Sequence, residues 1–371
     1  MRLLYQSFAI INLLKDNNKP VGGAAVEWFT WIKAFRILGC EFGVITQKGI
    51  STKIKKENNF DILESFELNK GIPKLRLFTY RIPILLKVIK KYNPDFIIQG
   101  CATENTGILA FIALLLNKPF IHRVGSDMDV DGRVYKDFFF ITKYLHKFGL
   151  ARANHISCQN QYQYKKLREK FPNKSISILH NPYFFNKYNF ENNTKEYIAW
   201  IGNFRYEKNL PALAEIAKKL PQYSFKIAGT KFHTTDEDTI KGLEILEKLA
   251  NVEFVGHNSN DLIPEFLSKA YCLLNTSRLE GFSNTFLEAW AVGVPVVSTK
   301  NVNPDYIITT YKLGIITDNY EEIPKKIDQL ISDQQYKNFS QRCIDYVKEK
   351  HDPVKLAQKF LNEMINSTST K

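Results

Sequence analysis

Two series of short apolar runs, each followed by a stretch with helical spacing, constrain this chain more than any other feature. In the first half, strand-like runs fall at Phe42–Thr46, Asp95–Gln99, Pro119–Val124, His155–Gln159 and Ser175–Leu179, after a buried first strand in MRLLYQSFAIINLLK. Helical patterns lie near 23–38, 79–92, 104–117, 134–149 and 160–171. The second half repeats the rhythm, with strands at Tyr197–Gly202, Ser224–Ala228, Val252–Val255, Tyr271–Asn275 and Val294–Ser298. Its helices lie near 209–220, 236–250, 260–269, 283–292, 321–333 and 336–350. Such alternation specifies βαβ units and parallel sheets, so the fold class is α/β with two doubly wound domains. Ligands are then expected at the carboxyl ends of the strands. The 371 residues suit two domains at roughly 150 residues each. The expected division is 1–185 and 186–371, because Asn-Pro and an Asn-rich stretch interrupt the periodicity from Asn181–Pro182 through Thr194. The closing helix is allowed to pack back on the first domain, and the polar tail NSTSTK is expected to fray.

Charge is distributed unevenly. Residues 1–185 hold 28 Lys and Arg against 14 Asp and Glu, whereas the remainder holds 23 against 24. Clusters include Lys48, Lys53, Lys55, Lys56, then Arg81, Lys87, Lys90, Lys91, then Lys165, Lys166, Arg168, Lys170. A one-sided excess draws anionic lipid, nucleic acid or anionic substrates, or simply solubilises a surface. No run approaches the roughly 20 apolar residues of a spanning helix. The five cysteines form no C-x-x-C pair, which suits a reducing, cytoplasmic setting. Val134–Leu150 mixes aromatics with Lys136, Lys143 and Lys147, and reads either as core packing or as a membrane-facing amphipathic helix.

The most informative stretch is Arg278–Thr299, RLEGFSNTFLEAWAVGVPVVST. It reads as loop, helix, stop, strand. Ser283 is expected to cap the helix, Gly293 and Pro295 to end it, and Gly281 to let backbone approach a ligand. A helix N-terminus following a strand is a natural anion site. Backbone N–H groups of Phe282, Ser283, Asn284 and Thr285 are placed to hold a diphosphate. Glu280 before them and Glu288 in the second turn are placed to accept hydroxyl protons from two sugars.

Glu280 and Glu288, in EGFSNTFLEAWAVGVPVV, form an E-x7-E pattern that resembles the retaining GT-B glycosyltransferases, in particular glycosyltransferase family 4. The resemblance is close in the second half and loose in the first. It implies a GT-B fold, with two Rossmann-like domains facing across a cleft. It also implies transfer of a sugar, with retention and without a metal or other cofactor, from a UDP- or GDP-linked donor to a saccharide or lipid-linked acceptor. Gly22 and Gly23, before the first helix, resemble the family's glycine-rich loop near the donor. Lys208 matches a Lys that clamps the diphosphate, whereas Asn203 replaces the usual Arg and leaves Arg205 as the nearby substitute. Gly229 and Gly256 match loops near the base. Asp127, in Gly125-Ser126-Asp127, is the candidate for orienting sugar or acceptor together with catalytic Glu280; Val124 stands where the family often has His, and His122 lies two residues earlier.

The first domain is expected to bind the acceptor and to meet an anionic membrane surface, with no nucleic acid partner. Alternatives are a GT-B sugar-nucleotide epimerase, a non-enzymatic nucleic-acid- or membrane-binding protein, and a degenerate transferase that only binds. Asp127-Met128-Asp129-Val130-Asp131-Gly132 is not read as a metal site, since a calcium loop needs Glu where Phe138 stands.

Overall fold

In the computed structural model the first series of runs becomes seven strands: β1 (Arg2–Gln6), β2 (Glu41–Thr46), β3 (Asp61–Glu64), β4 (Phe96–Gly100), β5 (Phe120–Arg123), β6 (His155–Cys158) and β7 (Ser175–Ile178). The second becomes six: β8 (Tyr197–Ile201), β9 (Phe225–Ala228), β10 (Val252–Gly256), β11 (Ala270–Leu274), β12 (Val296–Thr299) and β13 (Gly314–Thr317). The structure describes residues 1–14, 22–50, 59–73, 75–136, 138–185, 194–231, 236–256, 262–332 and 336–369. The cationic cluster Lys53, Lys55 and Lys56 and the linker stretch 186–193 lie outside them. Two compact units divide the chain, one of residues 1–182 with 352–371 and one of 183–351.

Both sheets are parallel and doubly wound. The first runs β3-β2-β1-β4-β5-β6-β7 and the second β10-β9-β8-β11-β12-β13. The order reverses between β1 and β4 in one unit and between β8 and β11 in the other, which creates a crevice at the carboxyl ends of those strands. Central strands are buried along most of their length because helices cover both faces. All five residues of β4 are buried, as are the first four of β8. Two edge strands, β3 and β13, escaped the sequence pattern.

The helix expected at 134–149 divides into a 3-10 turn at Arg133–Lys136 and a helix at Phe140–Arg152. A long last helix, Pro353–Ser369, was also missed, and the tail expected to fray is helical through Ser369. The Asp352 carboxylate accepts from the Lys355 backbone N–H at 2.9 Å, and Pro353 opens the first turn. Phe360 then packs on Trp31 and Phe35 of the helix Gly23–Ile37, with ring centroids 5.3 and 5.9 Å apart.

An ion pair lies inside the first unit. Glu27 and Arg123 meet at 2.6 Å with side chains 5% and 1% exposed. Arg123 also donates to the Ser157 hydroxyl (2.9 Å), the Leu179 carbonyl (3.4 and 3.3 Å) and the Asn181 side-chain oxygen (2.8 Å), so each of its five N–H groups has an acceptor. Glu27 accepts further bonds from Trp31 (3.1 Å) and Gln159 (3.1 Å). Removing one partner strands the other charge. Arg123→Met is expected to destabilise the protein by about 3–5 kcal/mol. In urea titrations, Glu27→Gln/Arg123→Met should cost less than the two single changes together.

Candidate functional site

In the second unit, the segments after β8 and β11 meet at the point where strand order reverses. The segment after β8 passes Gly202 and a 3-10 turn, Tyr206–Lys208, before the helix Leu210–Lys219. The segment after β11 carries Asn275 through Ser283 into the helix Asn284–Ala291. Buried polar side chains join the two. Trp200 donates its indole N–H to the Thr276 hydroxyl (3.0 Å), which donates to the Lys208 carbonyl (2.8 Å). Arg278 donates to the Tyr206 carbonyl (2.9 Å) and Asp238 (3.1 Å), with its guanidinium 4.0 Å from the Tyr206 ring centroid. The Tyr320 hydroxyl donates to the Ser277 carbonyl (3.2 Å).

This frame brings Lys208 and Glu280, 72 residues apart in sequence, into a direct ion pair with side chains 12% and 16% exposed. The Ser277 hydroxyl donates to the same Glu280 oxygen at 2.9 Å. The backbone around the pair is tight. A Cβ on Gly229 would stand 2.0 Å from the Gly202 carbonyl oxygen, so Gly229 is needed for the loops after β8 and β9 to approach. Gly256 has φ +72, where an L side chain is strained, and its carbonyl accepts from the Gly229 N–H at 2.8 Å.

Glu288 is handled differently. It sits in the second turn of the helix Asn284–Ala291 and keeps a partly exposed surface, yet burial pushes its carboxyl up to about 8. No hydrogen bond or ion pair from the described residues reaches that carboxyl group. Ser283 occupies the N-cap position but does not cap: its hydroxyl shares a hydrogen bond with the Thr285 hydroxyl (2.9 Å), and no side chain closes the first turn. Phe282 sends its side chain into the core beside His351, at 5.6 Å between ring centroids, which leaves only its backbone for a ligand. Gly281 and Asn284 flank it. Gly293, at φ +73, ends the helix as expected. Arg205 is exposed and pairs with Glu207 at 3.5 Å, away from the Lys208–Glu280 pair's bonding network.

The other sequence candidates belong to the first unit. Gly22 is the N-cap of the helix Gly23–Ile37 with φ −66, and a Cβ there would meet nothing within 4 Å. Neither backbone conformation nor packing requires glycine at that position, and open space lies above it. Asp127 follows β5 and accepts from Asn160 (2.9 Å) and Gln163 (2.9 Å); burial raises its pKa. Its two neighbours in the D-x-D-x-D run face other partners. Asp129 accepts from the Gly125 and Ser126 N–H groups (3.0 and 3.1 Å) and is pushed up to about 6 by burial, while Asp131 pairs with Arg133. Among the described residues, no group of three His, Cys, Asp or Glu is placed to hold a metal. His122 is fully buried on β5, in register with Gln99. Burial, and then His146, hold its pKa well below the ordinary value, so it is neutral. The residues that sequence reasoning missed are Thr276, Ser277, Arg278 and Tyr320; isolated polar residues in a loop carry no spacing signal.

Because the folded protein holds the Glu288 proton up to about pH 8 while the ordinary carboxyl releases it near 4.5, stability drains away as pH rises between those values. Glu288→Gln should remove that descent. Thermal melts are expected to match wild type below about pH 4.5 and to show a more stable variant above about pH 8.

A family model described as glycosyl transferases group 1 matches residues 184–350. An uncharacterized glycosyltransferase of Methanocaldococcus jannaschii is 25% identical over 231 residues, which cover 60% of this chain and 62% of that relative. The chain thus spans less than two thirds of the relative's length. Among solved structures, sucrose-phosphate synthase from Thermosynechococcus elongatus aligns over 100% of both chains with TM-score 0.77 at 15% identity. Anabaena HepE in complex with UDP aligns over 99% of this chain and 100% of its own with TM-score 0.73, also at 15% identity. At such identities the likeness establishes the fold. The chain has the GT-B fold, and its residues 184–350 match the model of the glycosyl transferases group 1 family.

Proposed function

We propose that this protein is a retaining, metal-independent glycosyltransferase that moves a sugar from a UDP- or GDP-linked donor to a saccharide or lipid-linked acceptor in cell-surface polysaccharide or glycoconjugate synthesis. The observation that carries this reading is the Lys208–Glu280 pair, seated where the strand order of the second unit reverses and next to the helix Asn284–Ala291. A nucleoside diphosphate needs a cation and backbone donors, and its sugars need acceptors for hydroxyl protons. An ammonium has three N–H donors, so Lys208 can hold Glu280 and a phosphate oxygen at once. In that arrangement it screens the carboxylate from the diphosphate and stabilises the charge that grows on the leaving group. Glu280, oriented by Lys208 and Ser277, accepts from the transferred sugar. Glu288, unpaired and desolvated, accepts from the ribose. Asp127, held by Asn160 and Gln163, orients the sugar or the acceptor. Retention follows from attack on the face the leaving group departs from, with the donor's own phosphate oxygen taking the acceptor proton. The presence of UDP in the HepE structure supports a nucleotide-sugar donor.

Thermal shift with UDP, GDP and ADP tests the donor site. A ligand that binds only the folded protein adds about 2.7 kcal/mol at roughly a hundredfold excess over Kd. One nucleotide class should raise the melting temperature of wild type. Lys208→Met should abolish the rise, since it removes the cation and leaves Glu280 facing the diphosphate. No rise with any nucleotide at millimolar concentration overturns the reading.

A further inference from the structure

The helix Phe140–Arg152 connects β5 to β6, two parallel neighbours. A crossover helix runs opposite to its strands, so the N-terminal turn at Phe140 stands at their carboxyl ends, the same end as the Asp127 loop. The helix has two characters. Its later turns are core: His146, Gly149 and Leu150 are buried, and a Cβ on Gly149 would press within 2.5 Å of the Thr106 carbonyl oxygen in the preceding crossover helix, Glu104–Leu115. Its first turn is bare. Phe139 is 84% exposed, Phe140 75%, Tyr144 55% and Ile141 49%. Phe140 and Tyr144 lie ring to ring at 4.3 Å, so the turn presents one continuous apolar surface. Scattered apolar side chains are ordinary on a protein surface, but a cluster of this kind marks a contact.

The chemistry around the cluster specifies what it contacts. Residues 134–152 contain Lys136, Lys143, Lys147 and Arg152 against a single acid, Asp137, which lies outside the described residues. Lys136 and Lys147 are exposed, and the Lys143 and Lys147 ammonium groups each lie 5.6 Å from the Tyr135 ring centroid, beside the aromatic turn. The first turn of the helix has no acidic residue to offset the positive end of its dipole. Protruding aromatics ringed by cations match the boundary of an anionic bilayer, where apolar rings enter the acyl region and ammonium groups meet phosphates. No helix among the described residues is long and apolar enough to cross a membrane, so such attachment lies on the surface.

We infer that Phe139, Phe140, Ile141 and Tyr144, with Lys136, Lys143 and Lys147, form a membrane-docking face that seats the first unit on anionic lipid by its Asp127 end. The face lies at the end of the sheet where an acceptor is expected, so a lipid-linked acceptor would meet the protein without leaving the bilayer. The inference is independent of the donor site in the other unit.

The test is co-sedimentation of the full chain with phosphatidylcholine vesicles, with and without phosphatidylglycerol. Wild type should sediment with the anionic vesicles and be released by salt. Phe139→Ser/Phe140→Ser/Ile141→Ser should lower the partition coefficient at least about tenfold. Lys136→Glu/Lys143→Glu/Lys147→Glu should abolish the preference for anionic lipid. Leu114→Ser/Leu115→Ser serves as the control: both residues are 55% exposed, but they lie at the opposite end of their helix, Glu104–Leu115, and should leave partition unchanged. The nucleotide thermal shift, run on every variant, reports folding and keeps the donor reading separate. Absence of sedimentation at low salt overturns the inference, as does equal loss in the Leu114/Leu115 control. A wild-type dimer that the aromatic variant splits, with no vesicle binding, would instead assign the face to a second copy of the chain.

Discussion

The first unit is organised around the buried pair of Glu27 and Arg123. Two charges removed from water are unfavourable unless each is fully bonded, and here the bonding determines which elements must meet. Arg123 ends β5 and reaches Ser157 on β6 and both Leu179 and Asn181 beyond β7; Glu27 brings in the helix Gly23–Ile37 and, through Gln159, the end of β6. All these groups lie at the carboxyl ends of the strands. The same network therefore fixes the helix that Gly22 precedes, proposed to lie near the donor, and the strand that leads to Asp127, proposed to orient sugar or acceptor. A hydrophobic pair could fill the volume with equal stability, but it would not set the azimuth of four elements at once.

The second unit solves a related problem without burying a pair so completely. On the proposed reading its ligand end takes a highly charged molecule, which needs a reachable cation. Lys208 is partly exposed and bound to Glu280, while the buried polar contacts, Trp200 to Thr276 to the Lys208 backbone, lie beneath it. Close backbone approach at Gly229 seats the loop after β9 against the loop after β8 that carries Lys208. Rigidity thus comes from neutral hydrogen bonds and glycine contacts, and the charge remains at the surface of the site.

How much of this could be read in the chain follows from burial. Central strands are covered on both faces and appear as continuous apolar runs, so Ile97, Ile98 and their counterparts were legible. β3 and β13 are edge strands left largely half-buried over DILE and GIIT, and neither reads as a buried strand run. The last helix buries Pro353, Ala357, Phe360, Leu361 and Met364 among Lys, Gln, Asn and Ser, and it needs the Trp31 face to be stable. Lys208 was singled out only by the resemblance, but the E-x7-E spacing of Glu280 and Glu288 was legible because it is local and carries its own glycine and helix. Glu27 and Arg123 were not, since a buried ion pair has the same letters as two surface charges. The aromatic run Phe138–Phe140 was ambiguous for a third reason: one periodicity describes a helix whose first turn is bare and whose later turns are core.

In the proposed donor site, two glutamates beside a diphosphate would pose an electrostatic difficulty, because a carboxylate repels the anion it is meant to help bind. The site removes that repulsion twice, by different means. At Glu280 a cation answers the charge directly, and Ser277 takes up part of the same oxygen's bonding capacity. At Glu288 there is no cation; burial raises the carboxyl to about 8, so near neutral pH it carries a proton. The two residues look equivalent in an E-x7-E pattern, yet one is an ion held by its partner and the other a neutral acid held by its surroundings. A neutral acid can donate one hydrogen bond and accept others, which suits a vicinal diol better than a bare carboxylate would in a dry site. The spacing of eight residues then has a physical reason. It places one acid in the loop, within reach of Lys208, and the other a full turn inside the helix, where desolvation alone controls its charge.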